Sequence, residues 1–210
     1  MRVVAGADAE PFREQAPDDA WPEFLYHDAI SNRYWRRLYS DFPDFQFLLL
    51  DGDEVTAEGN CVPVAGQPAQ WRDGLVAAFE RGGDPDGVCA LAIVVARQHR
   101  GQGLSSVMLR HMRELARPYG ALVAPVRPVG GTVDLDDPWV RTHVRLGGEI
   151  LGVAEDAMVI EGTVEEWQAW TALEFPADGE YAVPGGLAPV HVEAGRGVYR
   201  EPCVWVRHPV

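Results

Sequence analysis

Residues 88–106 read VCALAIVVARQHRGQGLSS. The first part, VCALAIVVA (88–96), is apolar throughout and β-branched toward its end, which is the pattern of a buried central strand. Gly101 and Gly103 follow, with Arg97 and Arg100 just before them. Beyond them, LSSVMLRHMRELARPYG (104–120) sets Leu104, Val107, Met108, Met112 and Leu115 on one face at helical spacing. Arg110, Arg113, Glu114 and Arg117 lie mainly toward the other face, and Pro118 and Gly120 end the helix. Strand, glycine turn and amphipathic helix therefore form one unit. A helix N-terminus offers unpaired N–H groups and a partial positive charge. Glycines let the preceding backbone turn with its amides converging and no Cβ in the way. The unit predicts a cradle for an anion, phosphate first of all.

The common nucleotide loops do not fit it. A Walker loop needs a lysine, and the chain has none: all 18 basic residues are arginine. The Rossmann pattern needs a third glycine where this chain has Ser106. Charge draws attention to the same place. The formal net charge is −14, yet residues 97–117 hold five arginines against one acid. The acidic total opposes nucleic-acid binding, because phosphates would be repelled.

Composition is that of an ordinary globular domain, 47% apolar and 24% charged over 210 residues, read as one domain over 1–210. The three cysteines are odd in number, far apart and without a C-x-x-C pair, so neither a disulfide framework nor a zinc site is expected. No metal is implied. The opening MRVVAGADAE lacks the apolar stretch of a signal peptide, and no apolar run approaches membrane-spanning length. The expectation is a cytoplasmic protein that does not enter a membrane.

Outward from the opening stretch, MRVVAG predicts a first strand, and HDAISNRYWRRLYSDF (27–42) a helix with Ile30, Tyr34, Leu38 and Phe42 on one face. FQFLLLDGDEVTAEGNCVPV (45–64) reads as a hairpin turning at Asp51-Gly52. DGLVAAFERGG (73–83) is a short helix stopped by glycines. ALVAPVRPV (121–129) is a strand that Pro125 bars from full pairing on both edges. A helix enters at Asp136/Asp137 with Pro138 in its first turn. AMVIEG (157–162) is a strand, Thr163 and Glu166 form a capping box, and YREPCVWVRH (199–208) closes the chain.

QHRGQG (98–103) resembles the Q/R-x-x-G-x-G/A signature of the GNAT superfamily of acyl-CoA N-acyltransferases. The preceding IVV (93–95) sits where that family has its central fourth strand. VRTHVRLGGEILG (140–152) is similar to the family's helix-to-strand passage. The resemblance covers residues 1–6 and 45–160 in element order. It implies an α/β (α+β) fold with a mixed, splayed central sheet flanked by helices, and a long insertion, 162–198, before the closing strand. It implies acetyl-CoA as acyl donor, with Arg100, Gly101, Gln102, Gly103, Leu104 and Ser105 on the pyrophosphate. Ile93, Val94 and Val95 would lie along the pantetheine arm. The acceptor would be the amine of a small molecule or a peptide, attacking the thioester directly.

The catalytic groups depart from the family pattern. Where the family has a tyrosine that protonates the leaving thiolate, this chain has His143, the expected general acid. Residues 88–96 hold no carboxylate, so Glu58 on the third strand is the expected base, with a water relay or a solvated strand glutamate as alternatives. Asp136 falls near a donor-side asparagine of the family, and capping would also account for it. Cys89 reads as a buried small hydrophobe rather than a nucleophile. The insertion carries Trp167, Trp170, Phe175 and Tyr181, which would wall the acceptor site, form a homodimer contact, or cover a small core of their own. The alternative to an enzyme is an acyl-CoA-binding sensor or accessory protein of the same fold.

Overall fold

Asp51 and Gly52 turn the chain between two strands, and Gly52 takes φ +62° as the tight turn requires. The computed structural model describes residues 1–18, 20–130 and 133–210. In chain order its elements are β1 (Arg2–Ala5), α1 (Ala29–Tyr34), α2 (Leu38–Asp41), β2 (Gln46–Asp51), β3 (Glu54–Val64), α3 (Trp71–Val76), β4 (Gly87–Val95) and α4 (Leu104–Ala116). There follow β5 (Ala121–Val126), α5 (Pro138–Arg145), β6 (Glu149–Thr163), α6 (Val164–Thr171), β7 (Gly179–Ala182), β8 (Pro189–Glu193) and β9 (Arg196–Pro209). Short 3-10 turns over Glu10–Gln15 and Glu23–His27 lie before α1.

The strands form one sheet in the order β1-β2-β3-β4-β5-β9-β8-β7, with β6 along the other edge of β9. Every pairing is antiparallel except β4 with β5. Those two strands meet only at Val88–Leu122 and Cys89–Val123, and then run on to Val95 and Val126 with no ladder between them. This is the splay that Pro125 foreshadowed. Proline brings no N–H to a ladder, and the strand around Pro125 is held from the other side, opposite Trp205 of β9. Beside the gap, β4 carries one extra residue: its register on β3 steps from Asn60–Ala92 to Cys61–Ala90, so Leu91 is bulged. The Trp71 indole N–H donates to the Leu91 carbonyl at 3.0 Å and satisfies it.

Two cores sandwich the sheet. On one face Met108, Leu109, Met112 and Ala116 of α4 pack on Phe47, Ala57, Val88, Ala90, Leu122 and Val206. The approach is close enough that a Cβ on Gly59 would stand 2.5 Å from the Phe47 ring. On the opposite face Tyr34, Leu38 and Leu75 pack on Val62, Cys89, Leu91, Val123 and Trp205. Each such fully buried apolar side chain stabilises the fold by about 1.5–3 kcal/mol.

The segment 162–198 extends the sheet rather than hanging from it. Its α6 begins with the capping box read from the sequence, Thr163 Oγ1 accepting from Glu166 N at 3.2 Å and Glu166 Oε2 from Thr163 N at 2.7 Å. Trp167 is fully buried, and its indole N–H donates to Gly197 O at 2.9 Å. Phe175, Val190, Val192 and Tyr199 complete this third core with Phe24 and Leu25 from the turn over Glu23–His27. Two elements differ from expectation. The helix over 27–42 is divided by a 3-10 turn at Trp35–Arg37, although Tyr34 and Leu38 still share the buried face. The strand expected at 157–162 begins at Glu149, because edge pairing with β9 orders residues whose exposed, glycine-interrupted pattern lacks alternation.

Candidate active site

The glycine loop forms as its sequence dictates. After β4, a 3-10 turn over Arg97–His99 is closed by His99 N on Ala96 O at 2.8 Å. His99 Nε2 lies 2.9 Å from Glu54 Oε1 and ties the turn to the start of β3, a bond that lowers the Glu54 carboxyl. Gly101 and Gly103 adopt φ +78° and +76°, and Gly103 is the left-handed N-cap of α4. The first turn of α4 thus opens onto a cavity of about 410 Å³. Val95, His99, Arg100, Gly101, Gly103, Leu104, Ser105 and Ser106 line it, together with Thr142 and Arg145 of α5. Arg100 Nε donates to Val95 O at 3.1 Å, and Arg145 Nη2 to Thr142 Oγ1 at 2.8 Å. Two guanidinium groups and a helix N-terminus, with no carboxylate among the described residues of the lining, make this wall anion-seeking.

Six of the nine residues expected on the donor line this cavity: Val95, Arg100, Gly101, Gly103, Leu104 and Ser105. Gln102 is exposed at the loop tip, its amide 3.5 Å from Gln98 O. Ile93 and Val94 lie deeper in β4, where one backbone edge is bound to Gly59 and Glu58 of β3 and the other borders the splay. The sequence missed Arg145 and Thr142, which only the packing of α5 brings to the loop. It also overstated the basic island. Arg113 donates to the carbonyls of Leu146 and Pro209, and Arg117 pairs with Glu114, so these arginines serve the fold.

Glu58 lies on the opposite face of the sheet from α4, beside Val94, and is only 8% exposed. Its Oε1 accepts from the Tyr39 hydroxyl at 2.9 Å and from Asn60 Nδ2 at 3.3 Å. Asn60 Nδ2 also lies 3.1 Å from Gln46 Oε1, and the Arg13 guanidinium stands over the Tyr39 ring at 4.5 Å. Burial and the facing Glu58 charge push the Tyr39 hydroxyl well above the usual phenol range, so it remains a donor. Tyr39, Gln46 and Arg13 had not been singled out in the sequence. Nothing but the fold relates a tyrosine of α2 to a glutamate of β3.

His143 is not brought to the cavity. It points from α5 into the protein, 2% exposed, with Nδ1 2.9 Å from His208 Nε2 and Trp139 edge-on at 4.4 Å. Burial, with His208 beside it, pulls its pKa down to about 3, and burial with nearby Arg113 pulls His208 down to about 4. The imidazole is therefore neutral at pH 7, and it stands apart from the cavity lining, where the general acid expected from the sequence would have to reach. Asp136 gives way to its neighbour. Asp137 caps α5, Oδ1 accepting from Trp139 N at 2.8 Å and Oδ2 from Val129 N at 2.9 Å and Gly130 N at 2.8 Å. Cys89 is fully buried, with burial raising its thiol, as a packing cysteine would be.

Across the splay, Arg127 leaves β5 and pairs with buried Glu201 of β9, whose other oxygen accepts from Tyr199. Arg127 also donates to Gly185 O and so joins this wall to the 162–198 segment. Burial raises the Glu201 carboxyl, and the Arg127 charge opposes that rise.

No protein-family model matches the chain. The arginine N-acetyltransferase avaD of Aspergillus versicolor is 29% identical over 255 aligned residues, covering 94% of this chain and 88% of that protein. GphF, a GNAT-like decarboxylase solved with isobutyryl-CoA, aligns with a TM-score of 0.60 at 15% identity, over 100% of this chain and 99% of its own. The loading GNATL domain of CurA from Lyngbya majuscula gives 0.55 at 14% identity over 100% and 98%. The ribosomal-protein-alanine N-acetyltransferase of Brucella melitensis gives 0.51 at 12% identity over 100% of both chains. The fold is the GNAT fold that these structures share, a splayed mixed sheet flanked by helices.

Proposed function

We propose that this protein is an N-acyltransferase that moves an acyl group, acetyl first of all, from acyl-CoA to the amine of a small amino acid of the arginine class. The observation that carries the reading is the anion-seeking cavity at the N-terminus of α4, which opens beside the β4/β5 gap with Glu58 on the neighbouring strand. The loop amides with Arg100 and Arg145 would hold the pyrophosphate. The free edge of β4 along Ile93, Val94 and Val95 would pair with the pantetheine arm. The similarity to an arginine N-acetyltransferase supports the acceptor class, and so do the buried carboxylates on the acceptor-side face.

In the reaction the neutral amine attacks the thioester carbonyl and a C–N bond forms. Glu58 takes the amine proton, the C–S bond breaks, and the CoA thiolate leaves to be protonated by solvent. Three buried free cysteines suit a reducing compartment, and we place the protein in the cytoplasm. No helix of the described residues is long and apolar enough to cross a membrane. The exposed apolar edge of β6, at Ile150, Leu151 and Val153, is where a second copy would pair.

The test is release of free CoA from acetyl-CoA across a panel of amines that includes L-arginine, its decarboxylated amine and L-lysine. Turnover of at least one amine, with Glu58→Gln reducing kcat by about 10²–10³ at neutral pH, is expected. Tight acetyl-CoA binding with no turnover of any amine would instead make the protein an acyl-CoA-binding accessory of the same fold.

A further inference from the structure

Glu58 uses its two oxygens unequally. Oε1 takes both hydrogen bonds, from Tyr39 and from Asn60. Oε2 accepts none among the described residues, and it is not one of their enclosed, unpartnered polar atoms, so it reaches solvent. The donors are themselves held. Asn60 is fixed by Gln46, whose own amide donates to Phe42 O at 3.1 Å and Cys61 O at 2.9 Å. Tyr39 is backed by Arg13, which donates to Gln46 O at 3.4 Å and pairs with Glu10 at 3.2 Å. Among the described residues, the charged and titratable groups that face Glu58 are therefore Tyr39 from α2 and Arg13, with Glu10 behind it, from the turn over Glu10–Gln15. The sheet contributes only neutral Asn60 and Gln46, and β4 presents Val94.

We propose that Tyr39 is a positioning residue for the transfer reaction: its hydroxyl, with the Asn60 amide, fixes Glu58 Oε1 so that Oε2 alone is presented to the acceptor amine, and Arg13 holds the tyrosine in place. The inference rests on the reading of Glu58 as proton acceptor. A hydrogen bond donated to a carboxylate is stronger than one donated to a carboxylic acid, so the pH profile of the reaction reads the loss of such a donor. A cation above the ring strengthens the phenol as a donor.

The test follows kcat from pH 4.5 to 9 at saturating acetyl-CoA, with the amine that the panel turns over fastest. Tyr39→Phe keeps the ring in place and removes the hydroxyl. The acidic limb is expected to move up by about one pH unit, roughly a tenfold loss of kcat on that limb, with KM for acetyl-CoA changed less than about twofold. Installing 3-fluorotyrosine at position 39 makes the phenol a stronger donor and should move the limb the other way, a shift that loss of packing does not produce. Arg13→Met should move it in the same direction as Tyr39→Phe by a smaller amount. An unmoved limb in both position-39 variants, while Glu58→Gln abolishes turnover, would overturn the role given to Tyr39 and leave that of Glu58 standing. Full activity in Glu58→Gln, or no amine turned over by the parent protein, would overturn the underlying reading and this one with it.

Discussion

Alanine at Gly103 separates the stability of the loop from its proposed work. Gly103 sits at φ +76°, where an L side chain is strained, and a Cβ added there meets no protein atom within 4 Å. The strain costs about 1–2 kcal/mol, which in a chain of this size lowers Tm by roughly 2–8 °C. Gly103 lines the cavity and the methyl meets no protein atom, so a ligand held there is what the substitution would disturb. Gly52 supplies the control, since it has φ +62°, equally open space, and a place in the β2/β3 turn away from the cavity lining. Gly52→Ala should show a similar Tm loss and leave acetyl-CoA affinity intact. Gly103→Ala should weaken that affinity at least about tenfold, roughly 1.4 kcal/mol. Thermal melts and isothermal titration of acetyl-CoA on both variants give the two numbers. Wild-type affinity in Gly103→Ala, or a loss no larger than in Gly52→Ala, would refute the placement of the pyrophosphate on this loop.

Two further outcomes follow from the buried groups. His143 and His208 titrate near 3 and 4 in the folded chain and near 6.5 unfolded. Between those values the unfolded chain binds more protons, so this contribution is complete above about pH 6.5 and is lost as pH falls toward 3. Urea midpoints at pH 7, 5.5 and 4.5 should decline less steeply in His208→Gln, and an unchanged slope would contradict the pair's assignment. Trp167→Ala should cost about 3–5 kcal/mol by emptying the third core, read from denaturant unfolding. The folded fraction of that variant should still bind acetyl-CoA, because Trp167 does not line the donor cavity.

The sequence made the donor side legible because that side is local. A buried strand, two glycines with positive φ and an amphipathic helix are contiguous, and each announces its conformation through its own residue types. Pro125 signalled the splay for the same reason, since a missing N–H acts wherever the residue sits. The acceptor side was legible only at Glu58. Its partners come from α2, β2 and the N-terminal turn, and no spacing rule links Tyr39 or Arg13 to a strand glutamate. The helical register of His143 is readable in the sequence and its depth is not. Position alone matches a proton donor, while His208 and Trp139 enclose the ring. Arg145 was hidden among many arginines until α5 packed beside the loop, and the aromatics of 162–198 found their partners in Phe24 and Leu25 far upstream.

What the cradle between β4 and α4 holds decides the function of this protein. Calorimetric titration of the intact protein with CoA, acetyl-CoA, ATP and NAD asks that directly. Saturable binding of CoA and acetyl-CoA, far tighter than that of ATP or NAD, is the predicted result. Tight binding of ATP or NAD with none of either CoA species would contradict it.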